Sequence, residues 1–382
     1  MNGQLPDRVG VLHLHSGNMM GGIESLLLTI AGCRDLTPEI QHEFALTFDA
    51  DFARQLRERK AKVHLLPEVR LRHLPSIRQA RQQLRMLLRE ERFDVVVAHS
   101  AWVQLILGDI AREFRSSLVF WMHGAFDGHW LQKLASFHIP DFAICNSRWT
   151  RSTLERCYPR VPSAVIYAPV QAVDQGGDRV QLRENLGIRP EEELIVIAAR
   201  MESWKGHADL LTALAKIKPS VSWRLAIAGA PNTASESAYF NLLQSQAASL
   251  GIGDRVQFLG FRSDVRALMA AADIYCQPNR EPEPFGVVFV EALQAGVPVV
   301  TSRLGGAQEI LDASTGLLVQ AGDYDGLARA LTLLLEDPIL RRQLGDCGQL
   351  RVKELCDPDR QMRMIAETLQ SVMQRARGIS SS

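Results

Sequence analysis

Short apolar runs recur along this chain with amphipathic stretches between them, and that rhythm constrains the fold more than any other feature. In the first half the runs are Val9–Leu14, Glu43–Phe48, Val63–Leu66, Val95–Ala98, Leu118–Met122, Phe142–Cys145 and Ala164–Tyr167. In the second they are Leu194–Ala198, Arg224–Ala228, Val256–Phe258, Asp273–Cys276, Val299–Thr301 and Gly316–Val319. Segments such as Ile23–Ala31 and Ser76–Arg89 between them carry helical periodicity. Strands alternating with helices pair in parallel, because each return needs a crossover. The fold class that follows is α/β.

A chain of 382 residues suits two cores of about 150–200 residues each. Residues 172–183 are polar, carry Gly176-Gly177 and lack apolar periodicity, so they read as a linker. The expected division is 1–171, the linker 172–183, 184–357, and a terminal helix in 358–382 with Met362, Ile365, Leu369 and Val372 on one stripe.

Composition excludes several classes. Basic and acidic residues balance at 43 each, so no nucleic-acid partner is expected. No apolar run approaches the roughly 20 residues of a membrane helix, and the N-terminal residues lack a signal-peptide core. A cytoplasmic location is the expectation. The cysteines at 33, 145, 157, 276, 347 and 356 form no C-x-x-C pair and read as small thiols, not a zinc or disulfide framework.

The chemistry concentrates in residues 279–309. A strand runs into a Pro-rich loop with Glu281 and Glu283, a helix starts near Phe285-Gly286 and stops at Gly296, and Pro298 opens the next strand. Glu283 falls at a strand's carboxyl end, where open α/β sheets bind ligands. Glu291 sits among Val287, Val288, Phe289, Val290, Ala292 and Leu293, which reads as a buried charge that needs a partner. Upstream, the strand ending at Ala198 leads into Arg200 and Lys205-Gly206. Two cations in one such loop can converge on a diphosphate, although a solvated loop carries cations too. Gly305-Gly306 opens a helix whose free N–H groups can face an anion, a geometry also common in structural loops. Near the N-terminus, Gly21-Gly22-Ile23-Glu24 follows a strand; it is neither G-x-G-x-x-G nor a P-loop, which disfavours a dinucleotide oxidoreductase or an NTPase. His123-Gly124 follows another strand, and His13, His15 and His99 sit at strand ends, where structural roles are at least as common as functional ones.

The run E-P-F-G-x-x-x-x-E-A-L-x-x-G-x-P-V-V, with R-x-x-x-x-K-G upstream, resembles the donor site of retaining nucleotide-sugar glycosyltransferases of GT-B fold, family 4 (glycosyl transferases group 1). The resemblance implies two Rossmann-like doubly wound domains facing across a cleft, acceptor-binding first and donor-binding second, with the terminal helix crossing back to the first. Arg200 and Lys205 would hold the donor diphosphate, Glu283 the sugar hydroxyls, and Glu291 the ribose. Phe285 and Gly286 belong to the same donor motif, Phe261 falls where the nucleobase rests, and Gly21 and Gly22 form the N-terminal glycine loop beside the donor. His123 would reach the donor sugar or its glycosidic oxygen, and Glu24 would anchor its loop. Ala230 departs from the pattern, since many relatives carry a polar residue there. The implied reaction moves a sugar, UDP-linked by preference, to an acceptor hydroxyl with its anomeric configuration retained. No nucleophile is assigned and no metal or other cofactor is expected, the two cations taking the divalent ion's place. The acceptor stays open among glycan, lipid-linked and small-molecule hydroxyls. An epimerase or hydrolase on the same fold, a glycogen-synthase-like polymerase, and a catalytically silent nucleotide-binding protein are the alternatives.

One further expectation concerns membranes. From Arg54 to Arg92 there are twelve Lys/Arg against four acids, and Arg78, Arg81, Arg85 and Arg89 fall at helical spacing. They read either as a basic face for peripheral contact with anionic lipid or as the solvated side of an ordinary helix.

Overall fold

Seven of the apolar runs form one parallel sheet and six form another. The computed structural model describes residues 8–18, 20–171 and 179–378, and the chain divides into one unit of Met1–Gln171 with Cys356–Ser382 and a second of Ala172–Leu355. The first sheet contains β1 (Val9–His15), β2 (Ile40–Leu46), β3 (Lys62–Leu65), β4 (Val95–Ala98), β5 (Ser117–Met122), β6 (Phe142–Cys145) and β7 (Ser163–Val165). Its order is β3-β2-β1-β4-β5-β6-β7, parallel throughout. The second contains β8 (Glu193–Ala198), β9 (Trp223–Ala228), β10 (Val256–Gly260), β11 (Ile274–Gln277), β12 (Val299–Ser302) and β13 (Gly316–Val319), in the order β10-β9-β8-β11-β12-β13. Each unit is thus a Rossmann-like α/β domain.

Both sheets reverse direction of growth at one point, between β1 and β4 in the first and between β8 and β11 in the second. Loops leaving the carboxyl ends of such neighbours diverge and leave a crevice. The central strands are apolar and fully covered: Val95, Val96 and Val97 on β4, Ile195, Val196 and Ile197 on β8. Trp121, Tyr275 and Phe289 are among the largest wholly buried side chains.

The helix Pro358–Ala376 belongs to the first unit and packs on β4 and β5. Met362, Ile365, Leu369 and Val372 are buried along one stripe, Asp357 accepts from the Arg360 amide at 2.8 Å, and Pro358 stands in the first turn, where its missing N–H costs no helical bond.

Two expectations are corrected. The linker reading falls partly on residues 172–178, outside the described residues, but Arg179–Asn185 is a helix. Charge holds it in place: Arg179 and Arg183 both bind Asp273 and donate to the carbonyls of 270–272, so there is no apolar stripe for periodicity to detect. The second strand is Ile40–Leu46 instead of Glu43–Phe48: polar Gln41 and His42 break the apolar run but pair with Gly10 and Val11 of β1, and buried Glu43 is compensated across the sheet by His64 at 2.6 Å and Lys62 at 3.4 Å.

Candidate functional site

The loops after β8 and β11 meet at the switch point of the second sheet, and they carry the two groups the sequence singles out. Lys205 Nζ lies 2.7 Å from Glu283 Oε2. The same oxygen accepts from Asn279 Nδ2 at 3.1 Å and Gln277 Nε2 at 3.4 Å, and Gln277 is oriented by Tyr275 OH at 2.8 Å from its Oε1. Among the described residues no hydrogen bond reaches Glu283 Oε1, so three donors clamp one carboxylate oxygen and leave the other for a ligand. Lys205 also sits over the Trp204 ring, 3.8 Å from its centre. Arg200 is exposed and bound to Glu202 at 2.9 Å, which leaves its guanidinium further donors.

Glycines make this approach possible. Gly206 has φ +80°, and a Cβ there would lie 2.0 Å from the Pro278 carbonyl. Gly305 has φ +58°, and its Cβ would lie 2.3 Å from the Glu283 carbonyl, the oxygen that accepts from the Gly306 N–H at 2.8 Å. That amide therefore holds the Glu283 loop instead of facing an anion. Gly286, in the left-handed region, precedes the helix Val287–Gln294.

Glu291 is a correction of detail. The helix is not apolar all round: Val287, Val288, Glu291 and Gln294 form a half-buried face, while Phe289, Val290, Ala292 and Leu293 are buried. The partner is Arg266, whose Nε lies 3.4 Å from Glu291 Oε1. Burial holds this carboxyl above the usual carboxylate range, and Arg266 only partly offsets it. Phe285 is buried, so its side chain serves packing, and Phe261 is 76% exposed after β10.

In the first unit, Gly21 and Gly22 are exposed at the start of the helix Gly22–Gly32, and a Cβ on Gly22 would meet nothing within 4 Å. Glu24 is buried and accepts from His15 Nε2 at 2.6 Å, which anchors the loop. His123 belongs to a row: His42 Nδ1, His13 Nε2 and Nδ1, His99 Nε2 and Nδ1, and His123 Nε2 are linked by three contacts of 2.9 Å each. His99 and His123 line a cavity of about 210 Å³ with Ile23, Phe120, Met122 and Phe126.

The sequence reading overlooked His42, Gln277, Asn279 and Arg266. Gln277 and Asn279 were findable, since they lie at the same strand end as Glu283; His42 and Arg266 were not, because only strand order and helix packing bring them in.

Two of the four arginines on the basic helix are held within the first domain. Arg81 makes a bidentate pair with Asp109 (2.6 and 2.7 Å) and Arg85 one with Glu113 (2.7 Å twice), which ties the helix Leu74–Glu90 to its own domain. Only Arg78 and Arg89 of the four stay exposed without an ion pair among the described residues. No helix of the described residues is long and apolar enough to cross a membrane. Glu43, His64 and Glu91 bring ligand atoms within 4.8 Å, but the Lys62 ammonium pairs with both carboxylates and fills a cation's role. The sequence holds Asp-x-Asp triplets at 49–51, 323–325 and 357–359, and five of their six carboxylates have partners in the protein: Asp49 and Asp51 pair with Arg57 and Arg54, Asp323 and Asp357 cap helices, and Asp325 pairs with Lys216.

Both parts of the chain match known proteins. The model for glycosyl transferases group 1 matches residues 178–351, and that for glycosyltransferase family 4 matches residues 33–172. The chain is 32% identical over 178 residues to N-acetyl-alpha-D-glucosaminyl L-malate synthase of Bacillus anthracis, covering 46% of this chain and 45% of that one. To D-inositol 3-phosphate glycosyltransferase of Corynebacterium diphtheriae it is 33% identical over 219 residues, 54% and 50% of the two chains. These alignments span about half the length of the curated relatives. Among solved structures, Anabaena Alr3699/HepE in complex with UDP-glucose aligns with a TM-score of 0.84 at 25% identity, covering 95% of this chain and all of that one. The fold is that of the GT-B proteins.

Proposed function

Because the chain belongs to the glycosyl transferases whose group 1 and family 4 models match its two parts, we propose that it transfers a sugar from a nucleotide-sugar donor to an acceptor hydroxyl, with retention at the anomeric carbon. UDP-sugars are the preferred donors, by analogy with the UDP-glucose held by HepE. The acceptor class is a glycan or glycolipid, since relatives include inositol-phosphate and lipopolysaccharide-core transferases.

The observation that carries the reading is the clamped Glu283. With Oε2 held by Lys205, Asn279 and Gln277, Oε1 is aimed and unengaged, ready to accept from sugar hydroxyls. Lys205 has two more donors for the diphosphate, and Arg200 adds its guanidinium, so negative charge growing on the leaving group is met by fixed cations. Glu291, on the half-open face of its helix, accepts from the ribose hydroxyls. The bond from the anomeric carbon to phosphate oxygen breaks with the electron pair on the phosphate. The acceptor hydroxyl adds from that same face, and its proton passes to the departing phosphate oxygen. The expected site needs no metal ion.

A thermal-shift panel of UDP-, GDP- and ADP-sugars, run beside Glu291→Ala and Lys205→Ala, tests the reading. Stabilisation by one nucleotide class that both variants lose supports it. NMR of the transfer product reads the anomeric configuration, and inversion would overturn the retaining assignment. Free sugar as the sole product would point to the hydrolase alternative.

A further inference from the structure

Four neighbouring strands of the first sheet, β2, β1, β4 and β5, each bring one histidine into a single row. His42 is on β2, His13 on β1, His99 just after β4, and His123 just after β5. Three ring-to-ring contacts of 2.9 Å join them end to end. Packing fixes the ring planes: His13 stacks on Phe44 at 5.2 Å, while Trp121 stacks on His99 at 5.5 Å and on His123 at 5.8 Å. Burial keeps the rings neutral, pushing His42 down to about 4 and His123 to about 3, with His13 and His99 well below the ordinary range.

A neutral imidazole has one N–H and one lone-pair nitrogen. Each contact requires one donor and one acceptor. If His13 carries its proton on Nδ1, it donates to His99 Nε2, so His99 is protonated on Nδ1 and donates to His123 Nε2, leaving the His123 proton on Nδ1. His42 must then donate from Nδ1 to His13 Nε2. If His13 is instead protonated on Nε2, the same logic places every proton on Nε2. No mixed arrangement satisfies all three contacts. We propose that the four rings share one tautomer and change it only together, so that His99, His13 and His42 are positioning residues that set whether His123 donates or accepts at the cavity.

The two ends of the row differ. Among the described residues His42 Nε2 is buried without a partner, whereas His123 lines the cavity and has only Nδ1 left for a ligand. A ligand oxygen that can only accept, such as a phosphate or glycosidic oxygen, selects the all-Nδ1–H state. That state also spares His42 a buried unpaired N–H. His123 then acts as a neutral hydrogen-bond donor, with no imidazolium to hand over a proton. The catalytic consequence rests on the transfer reading above; the shared tautomer does not.

The test is nitrogen-15 NMR of the full chain with labelled histidine, at about pH 7.5 where unperturbed histidine is already mostly neutral. The expected result is one protonated nitrogen, the same in all four rings, with couplings across the three N–H···N bonds. Opposite tautomers within the row, or an imidazolium in it, would overturn the proposal without any variant or substrate. For the functional half, His99→Phe uncouples His123. Turnover is expected to fall roughly tenfold or more, with the donor KM moving by less than about threefold and the His123 nitrogen signals shifting to a mixed tautomer. Turnover within about twofold of the parent, with the signals shifted, would overturn the positioning role.

Discussion

Lys205 Nζ and Glu283 Oε2 stand 2.7 Å apart across 78 positions of sequence, an ion pair built where β8 and β11 diverge. Both side chains are mostly covered, at 11% and 15% exposure, so the pair is neither a loose surface bridge nor fully desolvated. Lys205→Ala is expected to lower transfer by about 10²–10³-fold, the scale seen when a fixed donor to a developing anion is removed. Steady-state kinetics with a saturating donor checks it, and a loss below about threefold would remove Lys205 from the leaving-group role.

Glu291 yields a prediction with a sign. Burial raises its carboxyl above the unfolded range. The folded state therefore binds the proton more readily than the unfolded one, and ionised Glu291 costs stability that is relieved as pH falls from the raised value toward the unfolded one. Glu291→Gln should raise the melting temperature of the unliganded protein at neutral pH while weakening nucleotide affinity by about ten- to a hundredfold, since a charge-assisted bond to hydroxyl is lost. Thermal shift with and without nucleotide reads both effects.

Buried neutral histidines make the fold acid-sensitive. His42, His123 and His207 are depressed to about 4, 3 and 4, and His13 and His99 lie well below 6.5, burial being the leading cause throughout. Unfolded histidines bind protons below about 6.5 while the folded ones do not, so this contribution is intact above that pH. It is lost as pH falls from there through the folded values, about 4 for His42 and His207 and about 3 for His123, at up to about 1.4 kcal/mol per pH unit for each ring. Urea unfolding measured across that window checks the slope, and a flat profile would contradict neutral burial.

Gly206→Ala is expected to destabilise the second unit by about 2–3 kcal/mol or more, because φ is +80° and the added Cβ would overlap the Pro278 carbonyl. The same shift displaces Lys205 from Glu283, so activity should fall beyond the loss of folded protein. Denaturation and specific activity on the same sample separate the two.

Arg81 and Arg85 are bound to Asp109 and Glu113. Changing Arg81 to Gln should lower stability by about 1 kcal/mol or more and leave pelleting with anionic vesicles unaltered. Lost pelleting at unchanged stability would support the membrane-face reading of this helix.

Each of the thirteen strands overlaps an apolar run in the sequence; the central ones are the plainest, because a strand buried on both faces needs nothing but apolar neighbours along the chain, whereas the edge strands β3 and β7 are only partly covered. The loops of the candidate site are legible for a related reason: Gly206, Glu283 and Gly305 lie in the loops that follow β8, β11 and β12, where local order alone names the position. The helix Arg179–Asn185 escaped because Asp273, distant in sequence, holds it. That Glu291 needs a partner was legible; that it lies on a half-buried face with Arg266 as the partner was not.

What the sequence by itself determined is therefore local: which segments are strands, which loops carry cations, carboxylates and glycines, and which family pattern they match. The pairing of side chains was decided only by tertiary structure. His13 meets His99 across 86 positions because β1 and β4 are neighbours in the sheet. A hydrogen bond acts over about 3 Å, and whether two groups come that close depends on strand order and register, which the whole fold sets and no single segment encodes.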